Sequence, residues 1–199
     1  MLGLPSRTVK APMRLRILSW NIHRCVGLDS RFDPDRVVEV LRHHQADVIL
    51  LQEVDRGVPR SRRLLLDHLL AKALEFPWSS WAEAHVLREG AYGNATLSRF
   101  PIIKRRHLDL TVGWHKRRNA LYTRLQLPQG FGPLHLFNWH LGLSAGERAK
   151  QSQRLLHTGT LRDLRLVDRV ILGGDSNDWR NLLYLNAGIQ EAGFHAWSE

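Results

Sequence analysis

Four short apolar runs, each ending abruptly at a polar residue, constrain the fold of this chain more than any other feature. The runs are Leu15–Trp20, Asp47–Gln52, Leu134–Trp139 and Val170–Gly174, and the residues that follow them are Asn21, Glu53, His140 and Asp175. Runs of this length are typical of strands buried on both faces. Because ligand chemistry in open sheets gathers where strands end, the pattern predicts a site at one edge of a sheet core, suited to a hard cation and a phosphate.

The charge balance favours a polyanionic partner. Lys and Arg together number 29 against 19 Asp and Glu, which gives a formal net charge of +10 over 199 residues. Nucleic acid or an anionic lipid surface would fit this excess. The cations lie in several short clusters, however, so solubilising surface charge is the alternative interpretation.

The length and the cysteine content indicate one intracellular domain. With 43% hydrophobic residues, the chain can form a single domain over residues 1–199, of which residues 1–13 are expected to be a flexible N-terminal arm. Cys25 is the only cysteine, which excludes an intramolecular disulfide and a cysteine-based zinc site. No apolar run has the length of a transmembrane segment, and no signal-peptide core follows the basic start. We therefore expect a cytoplasmic protein.

The order of predicted helices and strands favours a sandwich. Asp33 is the N-cap of one predicted helix, and a second spans Arg62 to about Leu74. Ser144 opens a third helix that continues through Leu164. Between the second and third helices lie four consecutive predicted strands: Trp81–Leu87, Asn94–Ser98, Ile102–Leu110 and Ala120–Leu127. Because these strands have no helices between them, an α+β sandwich with mainly antiparallel sheets fits better than a doubly wound parallel sheet.

The alternation of side chains along a strand sharpens the candidate site. Ile49, Leu51 and Glu53 fall on one face of a regular strand, so Glu53 is expected to extend a buried face. A buried carboxylate needs a cation or several hydrogen-bond donors, and a structural pair with an arginine is the alternative to a metal. Asp175 and Asn177 lie two residues apart after a glycine pair, so they point the same way if the extended geometry persists, unless they form an ordinary Asx turn.

Five motifs together carry a family resemblance. They are Ser19–His23, Gln52–Glu53, Tyr92–Ile102, His140–Leu141 and Gly174–Asn177. In order and spacing they resemble the motifs of the endonuclease/exonuclease/phosphatase (DNase I-like) family. The resemblance implies a four-layer α/β/β/α sandwich and phosphodiester hydrolysis that depends on Mg²⁺, with Mn²⁺ as an alternative.

The same resemblance implies a role for each motif residue. Glu53 would be the principal metal ligand, with Asn21 beside it in the metal and phosphate shell. Asp175 would orient or deprotonate the attacking water, and His140 and Asn177 would donate hydrogen bonds to the phosphoryl oxygens. Three further residues are weaker candidates for substrate contacts: Asn94, Arg118 and Arg148.

The chain departs from the family pattern at its end. Family members finish with a Ser-Asp-His-type motif after a further strand, and this chain stops at Glu199 without either. We therefore expect a domain truncated at the C-terminus, with the C-terminal strands missing. Its turnover should be weak or absent, and an apolar edge should be exposed.

Three functions are consistent with these observations. A nuclease comes first because of the charge, and a phosphodiesterase or phosphatase acting on phospholipid or a small phosphoester is the alternative. A catalytically impaired binding module is the third hypothesis, since fold alone cannot decide among them.

Overall fold

The computed structural model describes residues 13–128, 130–165, 167–180, 183 and 188–195. All but the last residue of the predicted N-terminal arm lie outside this part, as do residues 196–199. The strands within it are β1 Ile17–Asn21, β2 Val48–Arg56, β3 Trp78–Val86, β4 Ala91–Ser98, β5 Ile102–Asp109, β6 Asn119–Gln126, β7 Pro133–His140 and β8 Arg169–Asp175. The α-helices within it are α1 Pro34–His43, α2 Leu66–Ala73, α3 Ala145–Leu156 and α4 Gly159–Arg162.

The strands form two four-stranded mixed sheets. The first has the order β1-β2-β4-β3 and the second has the order β5-β6-β7-β8. Only the β1–β2 and β7–β8 pairs are parallel among these strands, and the remaining pairs are antiparallel. The predicted α+β sandwich with mainly antiparallel sheets is confirmed.

Three hydrophobic clusters separate the layers. Ile49 and Leu51 of β2 pack beneath α1 and α2, whereas Leu50 points to the opposite side and packs between the sheets against Leu136 of β7. A third cluster, which includes Phe137, lies between the second sheet and α3. Each fully buried side chain of this size contributes about 1.5–3 kcal/mol to folding. The resulting order is helices, sheet, sheet, helices.

The helices begin where capping residues allow. The Asp33 side chain accepts a hydrogen bond from the backbone N–H of Arg36 at 3.1 Å, as the predicted N-cap of α1 requires. The second helix begins at Leu66 instead of Arg62, because Arg62 and Arg63 both have φ near +55° and cannot belong to a right-handed helix.

The third predicted helix is divided in two. The Ser144 hydroxyl caps α3 by accepting from the Glu147 N–H at 3.2 Å. This helix ends at Leu156, and the short α4 then begins with its own N-cap, Thr158. The Thr158 hydroxyl can cap a new helix, which gives the backbone an alternative to continuing α3. The spacing of apolar residues does not reveal this break, so the predicted helix ran past it.

Two β-bulges interrupt the first sheet, and asparagines of the second sheet satisfy the carbonyls beside them. The β2–β4 register shifts between Leu51 and Val54. The Asn138 amide of β7 crosses to this bulge and donates to the carbonyls of Leu51, at 3.1 Å, and Ala95, at 2.8 Å. The β3–β4 register shifts at Glu83, whose carbonyl accepts from the Asn119 amide of β6 at 2.9 Å.

Two more amides complete this network. Gln52 donates to the Asn138 side-chain oxygen at 2.7 Å, and Asn94 donates to the Asn119 side-chain oxygen at 3.0 Å. We call these four residues, Gln52, Asn94, Asn119 and Asn138, the amide seam. Each is at most 1% exposed. Buried polar groups are stabilising only when they are paired, so the hydrogen bonds that Asn119 and Asn138 donate across the sheets fix how the two sheets dock. Within the described residues, the Gln52 Oε1 atom is the one side-chain atom of the seam that is buried without a hydrogen-bond partner.

Candidate active site

The ends of β1, β7 and β8 meet at one edge of the sandwich. Asn21 donates from its side-chain amide to Asp175 Oδ2 at 2.8 Å, although 154 residues separate the two. His140 lies opposite Asp175 in the parallel β7–β8 pair, and its Nε2 atom is 3.6 Å from Asp175 Oδ2. The structure therefore brings together three of the residues that the apolar runs single out.

The turn after β8 fixes the Asp175 carboxylate. Gly174 has φ of +134°, and a Cβ atom at this position would lie 2.0 Å from the Trp139 carbonyl oxygen, so no other residue fits. Asp175 Oδ1 accepts from the Asn177 N–H at 2.9 Å, which is an Asx turn. The Asn177 side-chain amide donates to the Leu141 carbonyl at 2.9 Å and ties this turn to the end of β7.

Glu53 lies in the bulge of β2, with φ of +55°. A regular strand would place Glu53 on the buried face of Leu51, but the bulge shifts the alternation so that Val54 returns to that face. The expectation of a regular buried face at Glu53 is therefore wrong, because strand periodicity cannot reveal a bulge. Its side chain is 19% exposed, and its only charged neighbour within 4 Å among the described residues is Arg24, with Nε at 3.5 Å.

Arg24 is held by an unusual turn after β1. His23, Arg24 and Cys25 have φ of 47°, 61° and 60°, so three successive residues other than glycine are left-handed. The Asn21 side-chain oxygen accepts from the His23 N–H at 3.0 Å and supports the start of this turn. Sequence patterns gave no signal for Arg24, because its approach to Glu53 depends on this local backbone strain.

His140 lies close enough to two carboxylates, Glu53 and Asp175, for both to act on its pKa. Burial, followed by the positive charge of Arg118, lowers the pKa of His140 to about 4, although the Asp175 and Glu53 carboxylates both oppose this change. His140 is thus a neutral imidazole at pH 7. Since both carboxylates act on it, we call Asn21, Glu53, His140, Asp175 and Asn177 the strand-end cluster.

Arg118 is a largely buried arginine with no counterion in the described part of the chain. The residue is only 7% exposed, and its buried Nε atom has no hydrogen-bond partner among the described residues. Among the residues that the structure describes, no carboxylate lies within 4.0 Å of it. Burying a cation without a counterion costs free energy. Such a cation is expected where an anionic ligand binds and supplies the missing negative charge.

The other two candidate substrate residues have internal partners. Arg148 donates to the Leu143 carbonyl at 2.6 Å and pairs with Asp178 at 3.4 Å, so it clamps the loops that follow β7 and β8. Asn94 belongs to the buried amide seam. Both substrate contacts stay predictions, and the observed contacts of each side chain are structural.

The oxygen atoms of the strand-end cluster fit a hard divalent cation. The Glu53 carboxylate accepts no hydrogen bond from the described part of the chain, so its lone pairs are available. Within that part, no three His, Cys, Asp or Glu side chains form a ready metal cage. Mg²⁺ needs no such cage, because it typically uses one or two protein carboxylates and completes its shell with water and phosphate oxygens. The Glu53 carboxylate would hold the ion, with the side-chain Oδ1 atom of Asn21 beside it.

Comparisons with known proteins agree with this geometry. Residues 18–188 match the Endonuclease/Exonuclease/phosphatase family. The chain belongs to this family. YbhP of Escherichia coli K12, an uncharacterized protein, is 30% identical over 191 residues, which cover 88% of this chain and 73% of YbhP.

Solved structures of the family share the fold. The endonuclease/exonuclease/phosphatase of Beutenbergia cavernae superposes with a TM-score of 0.67 at 24% identity, over 82% of this chain and 47% of that protein. This chain thus spans about half the length of that relative. TDP2 of D. rerio, solved in complex with a single-strand DNA product, superposes with a TM-score of 0.64 at 21% identity, over 87% and 64% of the two chains. Family members are phosphoesterases, and the fold described above is theirs. No helix in the described ranges is long and apolar enough to cross a membrane.

Proposed function

We propose that this protein is a Mg²⁺-dependent phosphodiesterase, with Mn²⁺ as an alternative ion, and that nucleic acid is its substrate. The observation that carries the proposal is the largely buried Arg118, which has no counterion among the described residues and lies beside a cluster that contains two carboxylates and a neutral histidine. That combination offers a cation site, a proton acceptor and fixed donors for a phosphoryl group in one place.

Each residue has a role that follows from its environment. Asp175, whose carboxylate is oriented by Asn21 and by the Asx turn, takes the proton of the water that attacks phosphorus. His140 is uncharged, so it donates one N–H to a phosphoryl oxygen without repelling the metal. Arg118 pairs with the phosphate, and a divalent ion bound at Glu53 supplies additional stabilisation of the negative charge that develops there.

Nucleic acid is favoured over lipid by the charge of the chain. The net charge of +10 suits a polyanion. The D. rerio TDP2 structure, which contains a single-strand DNA product, is one example of this fold acting on nucleic acid. A phospholipid or small-phosphoester hydrolase is the first alternative, and a catalytically impaired binding module is the second alternative. A cytoplasmic location is part of the proposal.

Glu53→Gln is the decisive variant. It keeps the shape of the side chain and removes the charge that would hold the metal. We expect hydrolysis of bis(p-nitrophenyl) phosphate in Mg²⁺ to fall about a thousandfold, since metal and charge stabilisation of this kind contributes several kcal/mol. Calorimetric Mg²⁺ binding should be lost in parallel.

Glu89→Gln is the matched control. Glu89 pairs with Arg63 on the surface and is half exposed, so both activity and Mg²⁺ binding should be retained. Mg²⁺ binding and turnover that survive Glu53→Gln would refute the proposed metal site. A native chain that binds DNA but neither binds Mg²⁺ nor hydrolyses the ester would favour the binding module. Cleavage of phospholipid vesicles with intact DNA would favour the lipid enzyme.

A further inference from the structure

Tyr92 has a hydroxyl group that the fold does not use. The residue lies in β4 and is 6% exposed, and its hydroxyl oxygen is shielded from solvent and has no hydrogen-bond partner among the described residues. Leaving such a group unpaired destabilises the folded chain. Phenylalanine would fill the same space without this cost, so the hydroxyl calls for an explanation outside the folded chain.

Three groups that carry or accept positive charge surround the Tyr92 ring. The Lys116 Nζ atom lies 5.2 Å from the ring centroid and the Arg60 Cζ atom lies 5.8 Å from it. The His85 ring lies 5.6 Å away, and its buried Nδ1 atom likewise has no hydrogen-bond partner in the ranges that the structure describes. Arg60 is neutralised by two hydrogen bonds to Asp55, at 2.8 and 2.9 Å.

Lys116 has no such compensation. Among the described residues, no carboxylate lies within ion-pair distance of Lys116. A free ammonium group therefore lies above a buried tyrosine whose hydroxyl can still donate a hydrogen bond. Phosphate oxygens carry negative charge, so the hydrogen bonds that they accept from an ammonium or a hydroxyl group are stronger than hydrogen bonds between neutral groups.

This group of residues borders the strand-end cluster. Tyr92 is opposite Asp55 in the β2–β4 pair, two residues beyond Glu53 on β2. The hydrogen-bonded Asp55 raises the pKa of Arg60, and the nearby Tyr92 and Glu53 add to that effect. Lys116 and Arg118 both lower the pKa of His140. The cations beside the Tyr92 ring therefore also interact electrostatically with residues of the cluster.

We infer that Tyr92, Lys116 and His85 form a second anion subsite, which binds the phosphate next to the one that is hydrolysed. The inference rests on the proposed function and narrows its substrate to molecules with successive phosphates, as in a polynucleotide. A phospholipid with a single phosphodiester would occupy the strand-end cluster and leave this subsite empty.

Binding of short oligonucleotides tests the subsite without turnover. The probes are a thymidine dinucleotide without terminal phosphates, its 5′-phosphorylated form and its 3′-phosphorylated form, titrated calorimetrically in EDTA. We expect the native chain to bind one phosphorylated form about tenfold more tightly than the unphosphorylated dinucleotide. Lys116→Gln and Tyr92→Phe should each reduce this preference to about twofold and leave the affinity for the unphosphorylated probe unchanged.

Thermal unfolding separates a ligand-binding hydroxyl from a structural one. Tyr92→Phe should leave the Tm unchanged or raise it, because an unpartnered buried hydroxyl is removed. A lower Tm together with an unchanged phosphate preference would overturn the inference, since the hydroxyl would then serve the fold.

Arg117→Gln is the control for general charge. Arg117 is exposed and adjacent to Lys116, so its loss should affect all three probes equally. If Arg117→Gln removes the phosphate preference as fully as Lys116→Gln does, or if the native chain shows no preference, the subsite does not exist. Because this assay needs neither metal nor turnover, its failure is distinct from a failure of Glu53→Gln to abolish hydrolysis.

Discussion

The amide seam and the strand-end cluster are neighbouring sets of polar residues between the same two sheets, but their hydrogen bonds differ. In the seam, both Asn138 amide hydrogens reach carbonyls of the opposite sheet and its side-chain oxygen accepts from Gln52. Around the cluster, the buried Nε atoms of Arg24 and Arg118 have no hydrogen-bond partner among the described residues, although Arg24 Nε lies 3.5 Å from the Glu53 carboxylate. Polar groups that the fold satisfies internally hold the sheets together, and polar groups left unsatisfied are available to a ligand.

The two sets are also adjacent in the sequence. Gln52 of the seam precedes Glu53 of the cluster, and Asn138 lies two residues before His140. Residue type therefore does not separate a structural role from a functional one here. The two roles differ in whether the hydrogen-bond partners of a side chain lie within the protein. The substitutions below test this difference.

Asn138→Ala should have the largest effect on stability. It removes three hydrogen bonds and leaves the Leu51 and Ala95 carbonyls buried without that partner. We expect the free energy of unfolding to fall by about 4 kcal/mol, measured by urea denaturation. Asn177→Ala is the comparison within the cluster, and it should cost only about 1 kcal/mol because that side chain is partly exposed. Equal losses from the two variants would contradict the distinction.

The seam also shows what the sequence could not reveal. The apolar runs predicted four strands and the residues at or near their ends, because burial on both faces and terminal turn residues leave a local pattern. Asn138 shares a strand face with His140, yet its partners Leu51 and Ala95 lie 87 and 43 residues away. Pairings over such distances exist only once the sheets dock, so local reasoning could not distinguish Asn94 as a seam residue from a substrate contact.

His140 should make stability depend on pH. Its pKa is about 4 in the folded chain, below the ordinary value of 6.5, so the unfolded chain binds the proton first as the pH falls. Stability should therefore decrease as the pH falls from about 6.5 to 4, by about 3 kcal/mol from this residue. Urea denaturation at several pH values should show this decrease in the native chain.

His140→Gln isolates that contribution. The variant keeps a polar side chain but cannot take up a proton, so its stability should fall less over the same pH range. Carboxylates titrate in both proteins, and the difference between the two curves removes their contribution. Parallel curves would mean that His140 titrates near its ordinary pKa, and the cluster would then lack the burial described for it.

Backbone strain explains what the sequence patterns did not indicate at Glu53 and Arg24. Glu53 was expected from its position after an apolar run, but its bulge and positive φ were not. Arg24 depends on three left-handed residues that contain no glycine to announce them. Strain of this kind persists only because surrounding contacts impose it, and it concentrates where function requires it.

Arg24→Gln should have the smallest effect and the most specific one. The Arg24 guanidinium lies 3.5 Å from Glu53, so its positive charge occupies the approach to the carboxylate that we propose as a metal ligand. Its removal should tighten Mg²⁺ binding by about fivefold in calorimetry, since partly exposed charge pairs contribute up to about 1 kcal/mol. Arg36→Gln, which breaks an exposed pair with Asp29 at 3.1 Å, should leave Mg²⁺ binding unchanged. Weaker binding after Arg24→Gln would instead show that Arg24 positions Glu53 for the ion, and the contrast with the fully paired Asn138 side chain of the seam would then not extend to this residue.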